Sequence, residues 1–236
     1  MRIRNEAYQE GPKDAFSVSI SDLMSGLLAI FILALAYFIL NFSQATSQLT
    51  QNDALRAELL DDIQEQLSSD GIQVTVDEKH GILRISEGVL FDVGRADVKP
   101  QGQAVIGKLS GILSQTLQSE PYEGAVETIF IEGHTDNTPI NNGVFPSNWE
   151  LSTKRAINTW RLMAKTHPEL DRLQNKNEQP MFSCSGYAET RPIADNQTAD
   201  GKRANRRIDI RFTMAPPTEE DMSIVRFVRG KLASHE

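Results

Sequence analysis

The chain has 236 residues, 39% of them hydrophobic, and a formal net charge of -8. The acidic balance argues against a nucleic-acid module, and a single cysteine, Cys184, excludes an internal disulfide framework. The average is that of an ordinary folded domain, yet the apolar residues are unevenly placed: from Ala15 to Asn52 the only charge is Asp22.

The stretch from Phe16 to Phe42 reads FSVSISDLMSGLLAIFILALAYFILNF and is uncharged from Leu23 to Leu40. At about 1.5 Å per residue, Ile20 to Phe42 matches the roughly 30 Å thickness of a bilayer core, so a transmembrane helix is expected over 16–42. A cleaved signal peptide is the competing reading. Its apolar core would be only about 7–15 residues long and would end in small residues, where this chain has Tyr37-Phe38-Ile39-Leu40-Asn41-Phe42. Only one such run is present, which argues against a polytopic protein. Arg2, Arg4 and Lys13 lie in or beside the expected tail, 1–15, and only Arg56 follows soon after the span. That bias implies a single-pass inner-membrane protein with its N-terminus cytoplasmic and its C-terminal part periplasmic. One unpaired cysteine suits that oxidising compartment.

Asp22 is the most informative residue of this segment. A carboxylate at the centre of a membrane costs about 2.5–3.5 kcal/mol on insertion scales, and less near the interface. It is either an interfacial residue favoured by the helix dipole, or an ion carrier facing partner helices. Small neighbours Ser21, Ser25 and Gly26 allow other helices to approach closely. A lone helix builds no conduction path, so the second reading requires a polytopic partner.

Residues 43–70 are polar and lack proline and glycine, with Leu55, Leu59, Ile63 and Leu67 at spacing four. This predicts a helical linker with one narrow apolar stripe, either a solvated stalk or a helix paired with its twin in a dimer. Asp70-Gly71 ends it.

The pattern then changes. Ile72, Val74 and Val76 alternate, Glu78-Lys79-His80-Gly81 forms a turn, and Ile82, Leu83 and Ile85 continue as a second strand. Helices are expected over 103–117 and 151–165, the second carrying Ala156, Ile157, Trp160, Met163 and Ala164 on one face. Further strands are expected over 127–133, 180–186 and 207–214. This order predicts an α+β sandwich over 71–215, with helices covering one face of a single sheet, and a C-terminal extension over 216–236.

Four ordered motifs lie at the loops: IEGHTD from Ile131, NWELSTKRA from Asn148, GYAETRP from Gly186 and NRRIDI from Asn205. With Phe91-Asp92 in VLFDVGRADVKPQG they resemble the OmpA-like peptidoglycan-binding domain over about 125 residues. The resemblance implies that Asp136, in the Thr135-Asp136 pair, and Arg155 hold the two ends of the peptide's diaminopimelate. That ligand presents an ammonium and a carboxylate on one carbon, which a carboxylate and a forked guanidinium match. Asn148 and Leu151 precede Arg155 on the same helix face and line the same pocket in this reading, and Asn205 and Arg206 complete it. Arg155 is expected on the polar face of its helix, where its loss would spare the fold. Most of the basic cluster Lys202, Arg203, Arg206, Arg207 and Arg211 is expected to be a solvated strand face, with one or two members in the ligand site.

His134 has no second histidine at ligand spacing, so no metal is expected. Ser183-Cys184-Ser185-Gly186 lacks the glycine pattern of a nucleophile elbow, no hydrolase constellation is present, and the domain reads as a binder without a cofactor, not an enzyme.

A cytoplasmic-in helix with SDLMSGLLAIF near its start, joined to an OmpA-like domain, resembles the stator B-subunits of ion-driven motors. Asp22-Leu23-Met24-Ser25 is similar to the Asp-(Leu/Phe)-Met-Thr stretch of the flagellar MotB family, with Ser25 in place of threonine. The resemblance implies a homodimer inside a pentamer of polytopic A-subunits, with ions, protons first, passing Asp22 and Ser25. The tail is not strongly basic, a tryptophan before the aspartate is missing, and the linker is short. These departures resemble the ZorB branch of the family, from Zorya anti-phage systems, whose A-subunit is ZorA. A passive wall anchor is the rival, and it leaves Asp22 without a task.

Overall fold

The computed structural model describes residues 12–140 and 142–216. Most of the expected tail, 1–11, and nearly all of the C-terminal extension lie outside the described residues. The chain divides into two compact units, the second being Leu49–Pro216.

Helix α1 runs Pro12–Ser69. Within it Ser19–Leu40 is 22 residues long and apolar enough to cross a membrane. At about 1.5 Å per residue that is roughly 33 Å. Its large side chains, Leu23, Phe31, Leu33 and Leu40 among them, are exposed around the helix. Ser25 Oγ donates to the Ser21 carbonyl at 2.8 Å, a bond within the helix. Asp22 is exposed.

The second unit corrects the expectation for the linker. Leu59, Leu60, Ile63 and Leu67 are fully buried, and they share one core with Leu83, Ile85, Ile106, Leu109, Ile210 and Phe212. The stripe is therefore neither a solvated stalk nor a surface left for a twin. An amphipathic helix without a partner buries its apolar face against the nearest apolar surface, and here that surface belongs to the same domain. Polar contacts fix its register: Tyr122 Oη donates to Asp62 at 2.5 Å, and Asn52 Nδ2 donates to the Ala215 carbonyl at 2.8 Å. The helix ends as the sequence predicts. Gly71 takes φ +75°, and its amide and that of Ile72 return to the carbonyls of Ser68 and Leu67.

The sheet contains β1 (Thr75–Asp77), β2 (Ile82–Ser86), β3 (Val126–His134), β4 (Phe182–Gly186) and β5 (Arg207–Met214), in the order β1-β2-β5-β3-β4. Only β3 and β4 are parallel, joined by the crossover helix α4 (Asn148–Thr166). With α3 (Pro100–Thr116) it covers one face, the expected α+β arrangement. The first strand is shorter than its alternation suggests, because Ile72 and Val74 pack on the core without ladder bonds. Two short helices, α2 (Glu87–Leu90) and α5 (Ala199–Asn205), were not legible as periodic segments; each is two turns or fewer.

Two glycines set the position of α4. Gly133 and Gly186 are register partners on β3 and β4. A Cβ on Gly133 would lie 2.0 Å from the Ser152 carbonyl oxygen, and one on Gly186 would lie 2.2 Å from Thr153 Oγ1. The start of α4 thus rests directly on the strand ends. Ser147 caps it, accepting from the Trp149 amide at 3.2 Å while donating to Glu150 at 2.5 Å.

Candidate functional site

Ser86, Arg207 and His134 form one row across the sheet, the last pairs of β2 with β5 and of β3 with β5. The next residues along each strand, Glu87, Arg206 and Thr135-Asp136, therefore meet beyond the same sheet end. The Glu87 amide donates to the Arg206 carbonyl at 3.0 Å, holding the first two together. The seated start of α4 adds Asn148, Leu151 and Arg155 from the side. The result is a cavity of about 380 Å³ lined by Asp136, Arg155, Arg206, Glu87, Lys202 and Asn148, with Thr135, Thr138, Leu151, Val93 and Ile140 around them.

The charges alternate. Arg155 Nη2 donates to Glu87 Oε1 at 2.6 Å, Arg206 Nε stands 3.0 Å from Glu87 Oε2, and Arg206 Nη1 pairs with Asp136 Oδ2. Arg155 is 2% exposed and Glu87 5%. Arg155 Nε donates to the Arg95 carbonyl at 2.8 Å, and Phe91 lies under the guanidinium at 5.1 Å. Its Nη1 makes no hydrogen bond among the described residues and is left for the cavity. The expectation that Arg155 occupies a polar helix face is corrected here: the residue is polar, but the loop 92–97 and α2 close over it.

Burial pushes the Asp136 carboxyl up, but the Thr138 amide, at 2.8 Å from Oδ1, and the Arg206 guanidinium outweigh it and hold it below the usual carboxylate range. Asp136 is therefore ionised near neutral pH. Asn148 Nδ2 bonds the Thr138 carbonyl and Glu189 Oε2, each at 3.1 Å, tying the aspartate loop to the GYAETRP loop. Leu151 packs with Ala96, Phe145 and Ile140 in a small apolar cluster under the rim.

The structure brings together six of the seven residues named from the sequence for wall binding. Asn205 is apart. Its side chain is fully buried, accepts from the Ile193 and Ala194 amides, and donates to the Ala194 carbonyl and to Asn196. Asn196 in turn accepts from the Asn137 amide at 3.4 Å, so Asn205 supports the aspartate loop from behind. Glu87 was not named from the sequence, and Lys202 was named only as a member of the basic cluster. Lys202 precedes Arg206 by four residues, a spacing that places both on one helix face. Glu87 carried no such signal, since nothing in SEGVLF marks its acid as buried.

The basic cluster departs from the expected solvated face at Arg207 and Arg211. Lys202 and Arg206 line the cavity, and Arg203 is exposed beside Asp200. Arg207 is buried against Asp209, both oxygens at 3.0 Å, and Arg211 is bidentate on Glu132. These pairs surround His134, which is 2% exposed and stacked on Tyr187. Its Nε2 lies 3.5 Å from Asp209 and 4.0 Å from Glu132. Both carboxylates are already committed to guanidinium groups, and that positive surround disfavours a cation.

Burial, then Arg207, Arg191, Arg211 and Arg84, lower the His134 pKa to about 3. An unfolded chain protonates histidine near pH 6.5. The stability held by the neutral ring is therefore complete above about pH 6.5 and is lost as pH falls toward 3, by about 2 kcal/mol at pH 5. His134→Phe keeps the stack and removes the titration. In urea unfolding followed by fluorescence of Trp149 and Trp160, the variant should gain about 2 kcal/mol on the parent between pH 7.5 and 5. Parallel pH profiles would show that His134 is not held neutral.

Residues 90–206 match the OmpA family. Motility protein B of Bacillus subtilis is 32% identical over 148 residues, which is 63% of this chain and 47% of that protein. The chain spans about half the length of the curated relatives it matches. Among solved structures, the cell wall anchor of the T6SS from Pseudomonas aeruginosa aligns with TM-score 0.50 and 25% identity, over 65% of this chain and 96% of that one. A MotB-like protein from Desulfovibrio vulgaris aligns with TM-score 0.54 and 20% identity, over 72% and 96%, a likeness of fold. The chain combines an N-terminal apolar helix with an OmpA-like α/β domain.

Proposed function

We propose that this chain is the B-subunit of an ion-driven inner-membrane motor that grips peptidoglycan through the cavity at the sheet end. The observation that carries the wall-binding part is the convergence of Asp136, Arg155 and Arg206 in one cavity. Diaminopimelate brings an ammonium for Asp136 and a carboxylate for Arg155 Nη1 and Arg206. A zwitterion exchanges partners with the internal ion pairs without leaving a net charge behind.

The apolar helix with Asp22 and the similarity to Motility protein B support the motor part. In this reading the N-terminus is cytoplasmic and the domain periplasmic. Two copies place two Asp22 carboxylates inside a ring of polytopic MotA- or ZorA-like subunits, a pentamer, because a lone helix would leave its carboxylate against lipid. Protons are the ion, and anti-phage defence is the task. The short connection favours that branch: the apolar span ends at Leu40 and the compact unit begins at Leu49. A passive anchor is the second reading, favoured by the likeness to the T6SS wall anchor.

Sedimentation of the full chain in detergent with purified peptidoglycan tests the wall site. Asp136→Asn keeps the shape and the Thr138 contact but removes the charge that receives the ammonium. A charge-assisted contact is worth about 1.5–3 kcal/mol, so affinity should fall about 10- to 150-fold. Undiminished pelleting by a folded Asp136→Asn chain would remove the wall from the account.

A further inference from the structure

The cavity at the sheet end holds one charge more than its internal pairs use. Its lining carries three cations, Arg155, Lys202 and Arg206, against two carboxylates, Glu87 and Asp136. Glu87 faces Arg155 at 2.6 Å and Arg206 at 3.0 Å, and Asp136 faces Arg206, so both acids are matched by guanidinium groups. Lys202 is in no ion pair among the described residues. Asp200, the acid on its own helix, is turned to Arg203 at 2.5 Å, and Glu189, in the GYAETRP loop, accepts from Asn148 at 3.1 Å.

The lysine is placed all the same. Its Nζ donates to Thr138 Oγ1 at 3.2 Å, and the Thr138 amide donates to Asp136 Oδ1 at 2.8 Å. Thr138 thus links the unmatched cation to the carboxylate that takes the ligand's own ammonium. A lysine ammonium has three donors and the hydroxyl uses one, so the others remain for a ligand. The residue is half-buried, where salt screens its charge less than on an open surface.

A zwitterion brings one charge of each sign and leaves the cavity with its positive charge in excess. A ligand with one further carboxylate removes the excess. The wall peptide offers two such groups beside the zwitterion: the α-carboxylate of the isoglutamyl residue before diaminopimelate, and diaminopimelate's other carboxylate where the peptide ends there. Their chemistry is the same, and amidation turns either into a neutral group with no ionic pull on an ammonium.

We infer that Lys202 determines specificity at this site: it receives a second carboxylate of the peptide, so the cavity selects the free-acid peptide over an amidated one. The inference rests on the wall-binding reading and deepens it, from recognition of a zwitterion to recognition of a zwitterion with a neighbouring negative charge.

The test uses the full chain in lipid nanodiscs, titrated calorimetrically with three synthetic tripeptides ending in diaminopimelate. One has both of these carboxylates free, one is amidated at the isoglutamyl α-carboxyl, and one is amidated at the terminal carboxyl. The parent chain should bind the free acid about tenfold more tightly than at least one amide, and the weaker amide identifies the carboxylate that Lys202 receives. Lys202→Gln keeps the reach to Thr138 and removes the charge, so the preference should vanish; Lys202→Arg should keep it. Each preference is a ratio within one protein, so a general loss of affinity cancels. Equal affinity of the parent chain for all three peptides overturns the inference and leaves the zwitterion site standing, as does a preference kept by Lys202→Gln. If Lys202→Gln binds none of the peptides, Lys202→Arg decides: a kept preference upholds the inference, and a lost one overturns it. If the parent chain binds none, the wall-binding reading falls and this inference with it.

Discussion

Arg155→Ala is expected to lower the melting temperature of the domain by roughly 10 °C as well as weaken its hold on peptidoglycan. The guanidinium is 2% exposed and its 2.6 Å partner, Glu87, is itself buried. Truncation leaves that carboxylate without its nearest counter-charge and leaves the Arg95 carbonyl without its donor. Breaking a buried pair from one side costs about 3–5 kcal/mol, a large part of the roughly 5–15 kcal/mol that holds a domain. For a domain of this size each kcal/mol is worth about 2–4 °C. Arg206 still stands 3.0 Å from Glu87, which tempers the loss.

The double variant Arg155→Ala/Glu87→Gln separates the two roles of the arginine. Removing the stranded charge should recover part of the melting temperature, while pelleting with peptidoglycan stays weak because the ligand carboxylate still lacks its fork. Thermal melts and sedimentation of the same preparations read both. An Arg155→Ala chain melting within about 2 °C of the parent would show that the Glu87 pair does not hold the loop 92–97 and α2 in place. A double variant with restored pelleting would take Arg155 out of the ligand site.

Asp22→Asn should abolish the biological output while leaving the chain folded and assembled. The substitution keeps size and polarity and removes only the titratable charge, from an exposed position in the apolar helix. The membrane potential supplies about 2.3 kcal/mol per elementary charge per 100 mV, and only a group that alternately holds and releases a proton can draw on it. On the proposed motor function, cells carrying the variant and the proposed polytopic partner should be as phage-sensitive as cells lacking the chain. Co-purification of the partner with the variant checks that assembly is intact. Protection equal to the parent's from Asp22→Asn cells would leave the passive anchor as the better reading.

Much of this architecture is written locally. The apolar run, the glycine stop at Gly71 and the alternation of β5 each depend on neighbours within a few residues, so their periodicity is readable from the chain. The motifs named Asp136, Asn148 and Arg155 as a group because each loop motif has its own local grammar. What the domain does with the linker stripe could not be read that way. Leu59, Ile63 and Leu67 show that a face must be buried, and the burial partner is a core assembled from residues up to about 150 positions away. The same limit applied at the cavity. Arg155 looks solvated on its helix wheel, and Glu87 looks like any surface acid after a strand. Their pairing across 68 residues exists only because β2, β3 and β5 end in one row and two glycines let α4 rest on it. Helical and strand periodicity report that a side chain has a buried or exposed neighbourhood by type. Which loop closes over a given charge depends on where strands terminate relative to one another, and that is decided only when the sheet forms.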